Sequence, residues 1–226
     1  KPSSKDKALI TYLVDTMKSR DPEVEKWITL ADRLNGADAF IATGSNNSAL
    51  HFEYYFRNHP HIIRQNRTSV AILTGEETAE ELQLLADDVH LYYGLGCRNV
   101  TKIYVPRNYD FIPLLVAFKK YLWMADHHKY KNNYDYNLAI HLLNKKLYMS
   151  TESILLVEES TLFSPISQLN YEHYDNREEL IKSLSGKDEL QCIVGRGFTP
   201  FGSAQCPGIN DYADGVNTLD FLLKMT

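Results

Sequence analysis

The sequence holds only three cysteines in 226 residues: Cys97, Cys192 and Cys206. They are odd in number and far apart, so they build no disulfide framework, and a reducing, cytoplasmic setting is expected. Their spacing fits no zinc pattern. Positive charge is also scarce. A net charge of -5 argues against nucleic acid or an anionic membrane as the main partner. No apolar run approaches the ~20 residues needed to span a bilayer, so no stable membrane insertion is expected. There is no signal-peptide pattern, no internal repeat and no low-complexity linker. The chain also lacks a starting Met. It opens on Lys1-Pro2-Ser3-Ser4, as expected of a fragment, a processed chain or the ordered part of a longer one. What is present is ordinary for a globular protein: 44% apolar and 23% charged residues. The length allows one large domain or two small ones with a substantial core.

Apolar positions Leu9, Ile10, Leu13, Val14 and Met17 recur at helical spacing after a cap at Ser3 or Ser4. Asp21-Pro22-Glu23 predicts a second helix carrying Val24, Trp27, Ile28 and Leu34. A buried strand is expected over 37–43, then the turn Gly44-Ser45-Asn46-Asn47-Ser48, then a helix over 49–58. A strand, a small polar turn and a helix can aim backbone N–H groups at a phosphate, although a plain capped turn has the same pattern. Further strands are expected over 68–73, 102–105, 153–157, 168–171 and 190–194. Helices are expected over 80–92, 112–124, 138–148 and 177–184. The polar, aromatic stretch from Asp126 to Tyr136 reads as a solvated loop or helix face. His127 and His128 are adjacent, so they share no helix face and suggest no metal. Strands alternate with helices, which predicts an α/β fold with a largely parallel sheet. A domain boundary is expected near Asn66, giving domains 1–66 and 67–226.

One stretch organises the rest: Tyr92-Tyr93-Gly94-Leu95-Gly96-Cys97-Arg98-Asn99-Val100-Thr101. A helical pattern leads into it and a strand follows. Two glycines let the backbone turn sharply and leave space beside a sulfur. Arg98 adds a nearby cation, which favours thiolate, the nucleophilic form. Alone, the pattern also fits a Gly-rich turn around a buried, inert cysteine.

Together these segments resemble the aldehyde dehydrogenase superfamily, and more narrowly its acyl-CoA reductase branch, the relatives of the fatty-acid reductase of bacterial bioluminescence. Lys1-Pro2-Ser3-Ser4 resembles a Lys-Pro-Ser/Ala-Glu motif whose lysine touches the adenine ribose or its phosphate. Thr43-Gly44-Ser45 resembles the Thr-Gly-Ser loop under a dinucleotide. Gly94-Leu95-Gly96-Cys97 resembles Gly-Gln-x-Cys, which carries the nucleophile, and Pro200-Phe201-Gly202 resembles a Pro-Phe-Gly segment. The narrower likeness rests on Asn66-Arg67-Thr68-Ser69-Val70, Gly96-Cys97-Arg98-Asn99-Val100, Gln205-Cys206-Pro207 and Asp211-Tyr212-Ala213-Asp214-Gly215. The resemblance implies a partial Rossmann-type nucleotide domain over 1–66, its upstream part absent from this chain, and a catalytic cysteine domain over 67–226.

The resemblance further implies Cys97 as catalytic residue, with Lys1, Ser3, Gly44, Ser45 and Phe163 binding the cofactor. NADPH is expected, with NADH as the alternative. The implied activity is reduction of a fatty acyl thioester, carried by CoA or a carrier protein, to the fatty aldehyde. A homo-oligomer is expected. There are departures. Arg64 stands near the position of the family's general-base glutamate. Thr161 stands at the Glu of Glu-x-Phe-Gly-Pro when Phe163 and Pro165 are matched, and Glu159 is a candidate replacement. Ala49 replaces the last Gly of the phosphate loop. An aldehyde oxidiser needs a base to activate water and a reductase does not, so the missing base favours reduction. The alternatives are a non-catalytic acyl-carrier-binding or acyl-transfer subunit, or an aldehyde-oxidising dehydrogenase. Cys192 reads as a buried strand residue, Cys206 as a turn residue without a catalytic partner, and Asp211 and Asp214 as anchors of the tail.

Overall fold

The computed structural model describes residues 1–2 and 7–225. The chain divides into two compact units, Lys1–Gln65 and Asn66–Thr226.

The first unit holds α1 (Lys7–Arg20), a 3-10 turn (Pro22–Lys26), β1 (Phe40–Thr43), α2 (Asn46–Phe56) and β2 (His61–Arg64). β1 and β2 pair in parallel, Phe40 opposite His61 and Thr43 opposite Arg64, with α2 as the crossover. Phe40 stacks on Phe56 at 4.1 Å and so ties strand to helix. The helix predicted after Asp21 is a single 3-10 turn. Asp21 accepts the Glu23 N–H at 3.0 Å, but Trp27 is 84% exposed. A short helix without a face to bury gains too little from its own hydrogen bonds to persist. β2 was hidden in the sequence because His61 and Arg64 leave only two apolar residues between them.

The second unit holds β3 (Thr68–Ile72), α3 (Ala79–His90), β4 (Val100–Pro106), α4 (Ile112–Phe118) and α5 (His128–Leu143). β5 (Met149–Ser150), β6 (Leu155–Glu158), β7 (Gln168–Tyr174), α6 (Arg177–Leu184), β8 (Leu190–Val194) and α7 (Thr218–Leu223) follow. The sheet order is β5-β6-β7-β4-β3-β8. Every pairing is parallel except β5 with β6. Successive strand residues face opposite ways, and both faces are covered. Ala71, Leu73, Ile103 and Val105 pack with Leu85 and Phe118 on one face. Val70, Ile72 and Tyr104 pack with Leu184 on the other, beside Leu180 and Ile181. This is why β3 and β4 read as near-continuous apolar runs.

α3 begins with a reciprocal cap: Thr78 accepts the Glu81 N–H, and Glu81 accepts the Thr78 N–H. The helix predicted over 112–124 breaks at Phe118 into α4 and a 3-10 segment, Lys119–Asp126. α5 begins at His128, ten residues before the predicted start. Its buried positions are Tyr130, Tyr134, Asn137 and His141, spaced four, three and four apart. That is a helical stripe written in tyrosine, amide and imidazole rather than aliphatic residues. Among the described residues no helix is long and apolar enough to cross a membrane.

Candidate active site

Parallel pairing sets the first residues of β3, β4, β7 and β8 along one edge of the sheet. Cys97 sits on this edge, just before β4, and is an exposed free cysteine. The chain reaches it through an unusual reversal. After α3, Tyr92 (φ 55°), Tyr93 (φ 59°) and Gly94 (φ 72°) are all left-handed. That conformation is easy for glycine, but it costs a bulky residue of the order of 1–2 kcal/mol. Tyr93 is held by ring contacts to Trp123, His127 and Tyr130. His127 therefore serves packing, and it also accepts the Tyr130 N–H as the cap of α5.

Asn99, fully buried, closes the Cys97 turn. Its backbone N–H donates to the Gly96 carbonyl at 3.0 Å, and its Oδ1 accepts the Gly96 N–H at 2.8 Å. Its Nδ2 lies 3.0, 3.2 and 2.9 Å from the carbonyls of Asp88, Val89 and Leu91, at the end of α3. Ser69 on β3 donates its hydroxyl to the Cys97 carbonyl at 3.3 Å. Gly96 is needed for close approach rather than for a left-handed turn. A Cβ there would stand 3.0 Å from Asn99 Oδ1 and 3.6 Å from the Gln205 amide nitrogen.

Residues 202–205 flank the same turn. Buried Asp88 accepts the N–H groups of Gly202 at 2.7 Å and Ala204 at 3.0 Å. Burial pushes the Asp88 carboxyl up to about 6, although those two N–H groups pull it down. Arg98 donates to the Ala204 carbonyl at 3.2 Å. Arg98, expected to serve Cys97, exerts its charge on Cys192. The Cys192 thiol is raised by burial, and the Ser69 hydroxyl at 3.1 Å and the Arg98 charge work against that rise. Cys206 is exposed in a turn. Asp214 pairs with Arg67 at 3.3 Å and so anchors the tail, whereas Asp211 accepts the Gly208 N–H at 2.9 Å within the tail itself.

The loop carrying Phe163 lies on the same edge of the sheet. Thr101 donates to the Leu162 carbonyl at 2.8 Å. Fully buried Lys102 donates to the Ser160 carbonyl at 2.7 Å and to Glu172 at 2.5 Å. Asn170 donates to the Phe163 carbonyl at 3.1 Å. The loop is thus fixed from β4 and β7, with Phe163 half-buried. A cavity of about 20 Å³ separates it from the Cys97 turn, between Tyr93, Gly94 and Thr101 on one side and Ser164 and Ile166 on the other. It has room for about one water. Glu159 is bonded to Lys146, and that bond holds its carboxyl below the usual range.

A larger groove, about 280 Å³, lies along α3. Leu84, Phe198, Pro200 and Phe201 line it, with Glu81 and Arg196 at its polar side. Arg196 is paired with Glu81 at 2.9 Å.

The remaining expected residues lie in the first unit. Gly44 and Ser45 form the turn between β1 and α2. Ser45 accepts the Ser48 N–H at 3.3 Å and caps the helix. A Cβ at Gly44 would come within 2.8 Å of Ser48 Cβ. Lys1 is exposed, and Ser3 lies outside the described residues. Among the described residues no group of three His, Cys, Asp or Glu side chains is placed to hold a metal. The sequence named Cys97 and Phe163 but missed the roles of Asn99, Asp88, Ser69 and Lys102. The string Gly96-Cys97-Arg98-Asn99-Val100 contained the strongest of these.

No protein-family model and no curated protein matches the sequence. Solved structures do. A mutant indole-3-acetaldehyde dehydrogenase of P. syringae in complex with NAD+ and IAA is similar at 11% identity and a TM-score of 0.51, covering 70% of this chain and 40% of that one. An aldehyde dehydrogenase of Bacillus cereus with NAD+ is similar at 12% identity, TM-score 0.48, over 67% of this chain and 38% of that one. One from Mycobacterium tuberculosis with NAD+ is similar at 13%, TM-score 0.47, over 70% and 40%. The chain thus spans about 40% of the length of these structures. At the fold level, this α/β chain with mostly parallel sheets has the architecture of part of an aldehyde dehydrogenase.

Proposed function

We propose that this chain carries the nucleophile, and part of the cofactor site, of a nicotinamide-dependent oxidoreductase that reduces a fatty acyl thioester to the aldehyde. The observation that carries this reading is an exposed thiol on an over-determined turn: Cys97 has a free sulfur while Asn99 and Ser69 fix its backbone. A nucleophile needs that combination of freedom at the reacting atom and fixity behind it.

The Cys97 thiolate attacks the acyl carbonyl, and the carrier thiolate leaves and takes up a proton. The Cys97 backbone N–H is the proposed donor to the oxyanion. The acyl group, now a thioester on Cys97, accepts a hydride at its carbonyl carbon. Collapse of the resulting thiohemiacetal reforms the carbonyl, expels the Cys97 thiolate and releases the aldehyde. A reduced nicotinamide, when bound, supplies that hydride; NADPH is proposed ahead of NADH.

The first unit offers a fit for the dinucleotide. A parallel strand–turn–helix–strand places the N-terminus of the 11-residue α2 at Gly44-Ser45, the arrangement that receives a pyrophosphate. Gly44 and Ser45 are the proposed contacts at that turn, and Lys1, Ser3 and Phe163 are proposed as cofactor contacts on the motif resemblance alone. The apolar lining of the groove along α3 suits an acyl chain. Reduction is favoured over oxidation because Arg64, not a glutamate, stands near the base position.

The test is cofactor absorbance on mixing the full-length protein with a long-chain acyl-CoA and NADPH, then NADH. Oxidation of the cofactor that depends on acyl-CoA and vanishes in Cys97→Ala is expected. Acyl transfer to Cys97 without cofactor oxidation would replace this reading with the acyl-transfer one.

A further inference from the structure

Cys97 is held in place by a residue with no chemistry of its own. Asn99 has two ends, and the structure uses both in opposite senses. Its Nδ2 donates toward the carbonyls of Asp88 and Val89 in the last turn of α3, groups that a helix end leaves without partners, and of Leu91 just after it. Its Oδ1 accepts from Gly96, the residue before Cys97. Its own carbonyl accepts the Ser69 N–H at 3.1 Å, and Ser69 in turn reaches the Cys97 carbonyl. The Cys97 turn is therefore bound to α3 behind it through the Asn99 side chain, and to β3 beside it through the Asn99 carbonyl and Ser69.

The strained backbone belongs to the same device. Tyr92 and Tyr93 take left-handed conformations between the Leu91 carbonyl that Asn99 caps and the Gly96 N–H that it accepts. Such strain persists only where the surroundings over-determine it, and it concentrates at functional sites. No residue of similar size replaces both ends. Aspartate keeps the acceptor for Gly96 but turns a carboxylate toward three carbonyls. Leucine offers neither.

We infer that Asn99 is a positioning residue for Cys97: it fixes the orientation of the thiol and of the Cys97 N–H without touching the reacting atoms. This rests on Cys97 being the nucleophile, as proposed above. The test does not use acyl-CoA, so the two ideas fail separately.

The full chain and its Asn99→Asp and Asn99→Ser variants are labelled with iodoacetamide from pH 6 to 10, and the rate at each cysteine is read by peptide mass. A cysteine-containing model peptide added to each reaction is the reference, because Cys206 follows the segment that flanks the Cys97 turn. Cys192, part-buried on β8, reports loss of fold. The expected result is at least a threefold change in the Cys97 rate and a shifted pH midpoint for Cys97 alone. The model-peptide rate should be unchanged and Cys192 still protected. A Cys97 rate and midpoint equal to those of the unaltered chain, in a variant that protects Cys192, overturns the assignment. So does exposure of Cys192 in both variants, which would make Asn99 a folding residue and nothing more.

Discussion

Two turns in this chain look alike in sequence and differ in how they are built. Gly44-Ser45 and Gly96-Cys97 each pair a glycine with a small nucleophilic side chain beside a helix end and a strand. In the first, the turn's own side chain makes the cap: Ser45 Oγ accepts the Ser48 N–H and lies 3.1 Å from the Ser48 hydroxyl. In the second, Cys97 makes no such bond. Asn99, Ser69 and Asp88 do the bonding around it, and the sulfur is left exposed. A turn that caps its own helix uses its side chain to do so. A turn that presents a reactive atom leaves that atom alone and is held from its neighbours.

The largest expected effect comes from removing the buried support behind the second turn. Asp88→Ala leaves the Gly202 and Ala204 N–H groups buried without their acceptor. At about 1–3 kcal/mol for each orphaned group, a loss of about 3 kcal/mol or more is expected in denaturant unfolding. A loss under 1 kcal/mol would mean that water reaches these groups.

Acid separates Asp88 from its neighbour His90. The Asp88 carboxyl is raised from 3.8 to about 6 by burial, so its contribution to stability is full below about pH 4 and is lost as pH rises through 6. The His90 imidazole, buried against Tyr121, is lowered from 6.5 to about 4 by burial. Its contribution is present above pH 6.5 and is lost as pH falls through 4. Each effect reaches about 3 kcal/mol, and they oppose each other between pH 4 and 6. Asp88→Asn should therefore make stability fall more steeply on acidification than in the unaltered chain. His90→Phe should make it fall less steeply. Parallel curves for all three proteins would show that neither group titrates as stated.

Smaller changes distinguish the two turns directly. Gly96→Ala pushes a Cβ against Asn99 Oδ1 at 3.0 Å. It should cost about 1–2 kcal/mol, as overpacking does, and change Cys97 labelling several-fold. Ser45→Ala removes the cap of α2, so in the cofactor-free chain a loss of about 1 kcal/mol with Cys97 labelling unchanged is expected. An equal effect of both substitutions on Cys97 would erase the distinction.

The sequence made the fold legible wherever apolar periodicity or caps were plain. β3, β4 and β8 are short runs rich in β-branched and apolar residues, and α3 and α6 lie where helices are expected. It failed where burial is polar. The first half of α5 hides behind Tyr130, Tyr134 and Asn137, and β2 behind His61 and Arg64. The first-unit helix after Asp21 had the periodicity but no face to cover. At the site, glycine and cysteine marked Cys97, whereas Asn99 drew no notice beyond its motif. Its partners are carbonyls 8 to 11 residues upstream, and no local pattern encodes them. Arg98 adjoins Cys97 in sequence, and its long side chain donates to the Ala204 carbonyl, a partner that sequence distance conceals.

The most direct measurement is the intact mass of the full-length protein after mixing with a long-chain acyl-CoA in the absence of reductant. One acyl group should attach, map to Cys97 by peptide mass and be released by hydroxylamine. Cys97→Ala should carry none. Acylation that persists in Cys97→Ala, or that maps to Cys206 instead, would contradict the central claim that the Cys97 turn presents the nucleophile.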